Sequence, residues 1–112
     1  MKKEWFHSLD AAITVCDKNG IIVYMNRQSA EVFSKEGGKK LIGKSLFDCH
    51  NEEAASKLRE MLKSQKENIY SIEKSGVKKI IVQKPVYDHG NFDGVIEMSI
   101  VIPAEMPHFQ RR

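Results

Sequence analysis

Ala12-Ile13-Thr14-Val15-Cys16-Asp17-Lys18-Asn19-Gly20-Ile21-Ile22-Val23-Tyr24-Met25-Asn26 is the stretch on which the fold turns. Its first half places Ile13 and Val15 on one face of a strand over residues 11–17. Asp17-Lys18-Asn19-Gly20 then reads as a turn, because Asn-Gly reaches positive φ at little cost and a second apolar run, residues 21–24, follows at once. The pair is a β-hairpin. It ends at Asn26, whose side-chain oxygen can accept a backbone N–H two or three residues on and so start a helix.

Working outward, residues 27–33 form that helix, with Ala30 and Phe33 on one face, and Gly37-Gly38 is expected to end it. Residues 40–47 link it to the next element through Leu41, Leu46 and Phe47. The long helix is the clearest element. Asn51 caps it, Glu52 and Glu53 complement the positive end of its dipole, and Ala54, Leu58, Met61, Leu62 and Gln65 recur at helical spacing. Three strands follow. Residues 68–73 are short, and Lys74-Ser75-Gly76 turns them into residues 77–87. There Ile80, Val82 and Val86 alternate with Lys79, Ile81, Gln83 and Pro85. Proline offers no ladder donor, so a bulge or strand end is expected at Pro85. Residues 89–94 are expected to be a loop. In the last strand, from Val95, the residues Ile96, Met98, Ile100 and Ile102 share one face. Val95, Glu97, Ser99 and Val101 share the other, a mixed face suited to water or a partner. Before the hairpin, residues 2–9 can form a short helix carrying Trp5, Phe6 and Leu9.

The order is therefore two strands, two or three helices, then three strands: an α+β fold with a five-stranded antiparallel sheet and helices packed on one face. The 112 residues suit one domain, and 41% hydrophobic content can supply its core without staples. Lys+Arg 18 against Asp+Glu 15, a net charge of +3, is too mild for the basic stripe of a nucleic-acid binder. No apolar run approaches the ~20 residues of a membrane span. The start of the chain lacks the apolar segment of a signal peptide. Cys16 and Cys49 make no disulfide framework. A soluble cytoplasmic protein, binding neither nucleic acid nor membrane, is the expectation.

The hairpin from Ala12 to Asn26 resembles the opening of the PAS domain family of sensor modules: a strand ending in Asp, a turn with Gly, a strand ending in Asn. Leu41-Ile42-Gly43-Lys44-Ser45-Leu46 is similar to a further segment of that family, as are Cys49-His50-Asn51 before the long helix and Gly94-Val95-Ile96-Glu97 in the closing hairpin. The resemblance covers residues 8–103 or so. It divides the chain into an N-terminal helical cap (1–9), a PAS domain (10–103) and a tail (104–112). Asp17 and Asn26 are given structural roles at the hairpin's flanks, and Gly43 is expected where a Cβ would clash.

The resemblance implies a sensory or regulatory module. A small ligand would lie between the concave sheet face and the helices, in a pocket lined by Phe33, Leu46, Leu58, Leu62, Ile80, Val82, Met98 and Ile100. The alternative is that these side chains fill the core, leaving a protein-interaction and dimerisation module. Some members bind haem through a histidine in the helical region, which makes His50 the candidate haem ligand; its competing role is a cap or surface residue. Trp5, Phe6 and Leu9 are the candidate interface of a homodimer, or else pack back on the chain's own sheet. The signalling partner is unknown.

Enzyme chemistry is not expected. Cys49 and His50 are neighbours that project apart at a helix start, and Cys16, Cys49, His50 and His89 lack zinc-ligand spacing. The Asn-Cys-Arg motif of flavin photosensors is missing. Lys57, Arg59, Lys63 and Lys66 read as a solvated helix face, interrupted by Glu60 and Glu67. Pro103 and Pro107 argue against a continuous signalling helix at the end, so the chain, if complete, is expected to sense or bind without an output domain of its own.

Overall fold

A computed structural model describes residues 4–49 and 51–112. The hairpin forms as expected, from β1 (Ala12–Asp17) and β2 (Ile22–Met25). Asp17 holds the turn: its Oδ1 accepts from the backbone N–H of Asn19 at 2.9 Å and of Ile21 at 3.0 Å, and Gly20 closes it at φ +84°. Strand β2 starts one residue late because Ile21 bridges to Ser45 instead. The linker runs along the free edge of β2. Ile22 N–H donates to Lys44 O, Gly43 N–H to Ile22 O and Leu46 N–H to Gly20 O, all within 2.9 Å. The edge is thereby covered. Gly43 itself corrects an expectation. A Cβ there would meet nothing within 4 Å, and glycine is required by its φ of +94° rather than by crowding.

Helix α2 (Arg27–Val32) starts from Asn26, and α3 (Glu52–Ser64) from Asn51, whose Oδ1 accepts from Ala54 N–H at 2.8 Å. Helix α2 ends at Val32, before Gly37, with Phe33 as its cap; the chain then passes through short 3-10 turns at Ser34–Glu36, Gly38–Leu41 and Leu46–Cys49. The buried stripe of α3 is Ala55, Leu58 and Met61. Ala54, expected in that stripe, is rotated to the rim, where it lines the cleft described below. Before the hairpin, α1 covers Glu4–His7.

The closing strands are β3 (Asn68–Lys74), β4 (Val77–Asp88) and β5 (Asn91–Val101), and the sheet order is β2-β1-β5-β4-β3, antiparallel throughout. Two local expectations fail. Pro85 neither ends nor bulges β4, because it lies past the end of β3, where β4 pairs with β5 alone; the irregularity falls between Val86 and Tyr87. Most of residues 89–94 are strand, not loop: the turn shrinks to His89-Gly90, both at positive φ, and pairing resumes at Asp88 and Asn91. The hydrophobic core joins Cys16, Ile22, Met25, Leu41, Leu46, Leu58, Met61 and Val95, with Phe33, Phe47, Leu62 and Phe92 against it. It fills one end of the space between sheet and helices. The other end is open.

Candidate functional site

Residues paired across neighbouring strands share a sheet face, so the helix-facing side can be read as successive rows. Nearest the core lie Cys16, Val95 and Pro85. The second row is polar: Thr14, Glu97, Gln83 and Asn68. The third is Ala12, Ser99, Ile81 and Tyr70, and the fourth, at the open end, is Val101, Lys79 and Ile72. Thr14 and Glu97 of the second row, the whole third row, and Lys79 and Ile72 of the fourth floor a cleft of about 620 Å3, whose walls come from residues 31–36 and from Asn51, Glu53, Ala54 and Lys57.

The second row is held by a continuous hydrogen-bonded chain. Asn68 Nδ2 donates to the Lys57 carbonyl and to Gln83 Oε1, each at 3.2 Å; Gln83 Nε2 donates to Glu97 Oε2 at 2.7 Å. Helix α3, β3, β4 and β5 are thus joined through polar side chains. Gln83 is wholly buried and Glu97 is 8% exposed. A buried carboxylate is costly unless hydrogen-bonded, and this chain supplies part of what it needs. Across the row, Thr14 and Ser29 share a hydroxyl hydrogen bond that ties β1 to α2. Burial, then the charges of Glu97 and Glu53, push the Tyr70 phenol above its ordinary pKa, so it stays protonated as both donor and acceptor. The Lys57 ammonium lies 5.6 Å from the Tyr70 ring centre.

This geometry redistributes the expected pocket residues. Phe33 does line the cleft. Leu46 and Leu58 are core, with Leu62 packed against it. Ile80, Val82, Met98 and Ile100 lie on the opposite side of the sheet: Val82 pairs with Met98, and Ile80 with Ile100, one residue out of step with the cleft floor. The reason is strand parity. The uniformly apolar face of β5 turns away from the helices, and its mixed face, Val95-Glu97-Ser99, turns toward them. Glu97, Gln83, Thr14 and Tyr70 were the residues missed. Their signal was that mixed face, together with a glutamine at the matching parity of β4.

The outer face carries Ile13, Met98, Val82 and Ile69 in one cross-strand row. At the edge of the domain, Trp5 and Phe6 of α1 stack at 4.6 Å and stay 53% and 47% exposed; Leu9 is exposed too. Asn26 Nδ2 anchors this segment by donating to the carbonyls of Phe6 and Ala11. His50, the candidate haem ligand, lies outside the described residues. Among the described residues no group of three or more His, Cys, Asp and Glu could hold a metal ion, and no helix is long and apolar enough to cross a membrane.

An antiparallel five-stranded sheet with helices on one face and a cleft between them defines a small α+β domain. The family model for the PAS fold matches residues 6–68, more than half the chain, and the protein belongs to that family. Solved structures agree on the fold. The PAS domain of the histidine kinase ThkA superposes with a TM-score of 0.68 at 19% identity, covering 81% of this chain and 98% of that one. The Vibrio cholerae Aer2 receptor, a dual PAS-heme oxygen sensor, gives 0.61 at 16%, covering 83% and 95%. VqmA bound to DPO gives 0.68 at 19%, covering 88% of this chain and 56% of that one. No curated protein matches the sequence. As a member of this family, the chain is of a kind typically used as a sensory or signalling module.

Proposed function

We propose that the chain senses a small molecule held in the sheet–helix cleft and passes the resulting change to a protein partner, without chemistry of its own. The observation that carries this reading is the cleft itself, about 620 Å3 and floored by the buried Glu97 and Thr14. A void with fixed polar groups at its base is what a small-ligand site requires. The chain Lys57–Asn68–Gln83–Glu97 would carry the signal, because it links the cleft floor to α3 and crosses three strands. A ligand shifts such a domain only as far as it favours one arrangement over another.

Haem does not suit the described lining. A porphyrin face needs an extended apolar slot, whereas four lysines and four glutamates line this cleft, and its floor carries Thr14, Glu97, Ser99 and Tyr70. Homodimerisation is a second reading, supported by the exposed Trp5–Phe6 stack beside Leu9. Such a patch normally marks an interaction surface.

Ligand-observed NMR with a fragment library tests the first reading. Fragments that bind wild type should lose binding to Ala54→Trp, which places an indole in the cleft wall. No binders, or binders indifferent to that substitution, would sink it.

A further inference from the structure

The charged side chains that the sheet contributes to the cleft, Glu97, Lys79 and Lys74, are sorted along the strand direction, and this ordering specifies a ligand. We infer that the cleft takes a small zwitterion: a primary amine and a carboxylate at opposite ends of a flat, ring-sized body. This rests on the cleft being the ligand site.

Glu97 is the one buried ionisable carboxylate of the floor, and Gln83 Nε2 fixes its Oε2 at 2.7 Å. An ammonium gains most from a carboxylate at such depth, where low polarity strengthens the charge-assisted hydrogen bond. Thr14, buried in the same row, and the protonated Tyr70 phenol one row on add oxygen acceptors for its remaining N–H groups. The next row is chemically different. Ala12 and Ser99 are small, Ile81 is apolar, and Val32 and Phe33 face them from the wall. That arrangement suits a thin apolar body lying on the sheet. At the open end stand Lys79, in the row beyond, and Lys74, which also lines the cleft. Lys79 is four residues from the Glu97 register, or about 13 Å along the strand. Both side chains can lean inward, so the two ends of a ring-sized molecule would reach them together.

The remaining charges of the cleft belong to its walls. Glu31, Lys35 and Glu36 lie on the exposed segment at the mouth, where solvent screens them. Lys57 is placed over the Tyr70 ring, and Glu53 is exposed in the first turn of α3. A neutral heterocycle would make no use of the lysine row, and a simple anion would meet Glu97 as a like charge.

The test follows backbone amide shifts of Ala54, Tyr70 and Ile81, with Met61 and Val95 as core references. The wild-type protein is titrated with 4-(aminomethyl)benzoate, benzylamine, benzoate and neutral 4-methylbenzamide. The expected result is tenfold or tighter binding of the zwitterion than of any other probe. Glu97→Gln should weaken the zwitterion and benzylamine about tenfold and leave benzoate unchanged or improved. Lys74→Ala/Lys79→Ala alters only the rim, keeps the fold, and should weaken the zwitterion about tenfold without affecting benzylamine. Cleft amides that respond to benzoate or 4-methylbenzamide as strongly as to the zwitterion would overturn the ligand class and leave the cleft as a site. Cleft amides that respond to no probe would overturn both.

Discussion

Gln83 and Glu97 face each other across β4 and β5 at 2.7 Å, a buried amide donating to a buried carboxylate beneath the helices. Removing either partner takes a buried hydrogen bond from the other. Gln83→Leu should destabilise the protein by about 1–3 kcal/mol, because the carboxylate loses this donor. The double variant Gln83→Leu/Glu97→Leu should cost less than the two single changes added together, since the hydrogen bond between them is counted in both single changes but lost only once. Urea denaturation of the four proteins measures both quantities. Strict additivity would show that the pair is not coupled.

Asn26 makes four side-chain hydrogen bonds while fully buried. Its Oδ1 accepts from the N–H of Ile13 and Ser29, and its Nδ2 donates to the carbonyls of Phe6 and Ala11. One residue therefore caps α2, bonds to β1 and anchors the α1 segment. Asn26→Ala should lose about 3 kcal/mol or more, beyond an ordinary cap removal, because several buried backbone groups lose their partner. Hydrogen exchange should quicken at the Ile13 and Ser29 amides before the rest of the sheet. Protection unchanged at those two amides would contradict this.

Gly94 of β5 pairs with Asp17 of β1. A Cβ there would lie 2.1 Å from the Cys16 carbonyl oxygen and 3.1 Å from Asp17 Cα, both backbone atoms of the neighbouring strand. Neither can rotate away, so Gly94→Ala must push the two central strands apart. A loss of more than about 3 kcal/mol is expected, read as a fall in melting temperature. Gly43→Ala, with open space around it, should be milder and limited to the strain of a positive φ.

Burial raises the Cys16 thiol from its ordinary 9.0 to about 11, with only partial relief from the Val95 backbone. The folded form thus holds its proton more tightly than the unfolded chain. The resulting stability is complete below pH 9 and is lost as pH rises through 11. Tyr70, shifted in the same direction, adds to this alkaline loss. The Cys16→Ala variant should show a shallower fall of melting temperature between pH 8.5 and 10.5. In a Cys49→Ser background, thiol labelling at pH 8 should wait for unfolding, because the thiolate is scarce and the sulfur is buried. Rapid labelling of the native protein would refute the burial argument.

Trp5→Glu places a charge in the exposed aromatic stack of α1. If copies of the chain associate there, sedimentation should show wild type as a dimer and the variant as a monomer. Monomers in both would remove this interface, while leaving the cleft untouched.

Much of the fold was legible in residue order because it depends on local chemistry. Asp17 and Gly20 specify the first turn, Asn26 and Asn51 the two helix starts, and the 3.6-residue spacing of Leu58 and Met61 the buried side of α3. Each signal acts within a few residues, where backbone geometry and hydrogen bonding leave little choice. The failures came from strand pairing. Pro85 is tolerated because β3 has already ended, and Asn91–Gly94 extend as strand because β4 supplies a pairing edge. The first depends on where β3 starts, well back in the sequence, and the second on a tight turn into the strand just before it.

The side of the sheet that the helices cover was the decisive non-local matter. Alternation along β5 identifies two faces, Ile96-Met98-Ile100 and Val95-Glu97-Ser99, and period-two spacing is identical for both. By itself the sequence determined the α+β order, the PAS hairpin and the positions of the caps. Only the tertiary structure decided that the mixed face turns inward, bringing Glu97 beside Gln83 and the lysines to the open end. That choice depends on how Thr14, Ser29, Asn68 and the Lys57 carbonyl meet across the fold: hydrogen bonding between distant segments lets polar residues occupy a covered face that hydrophobicity alone would assign to Ile and Met.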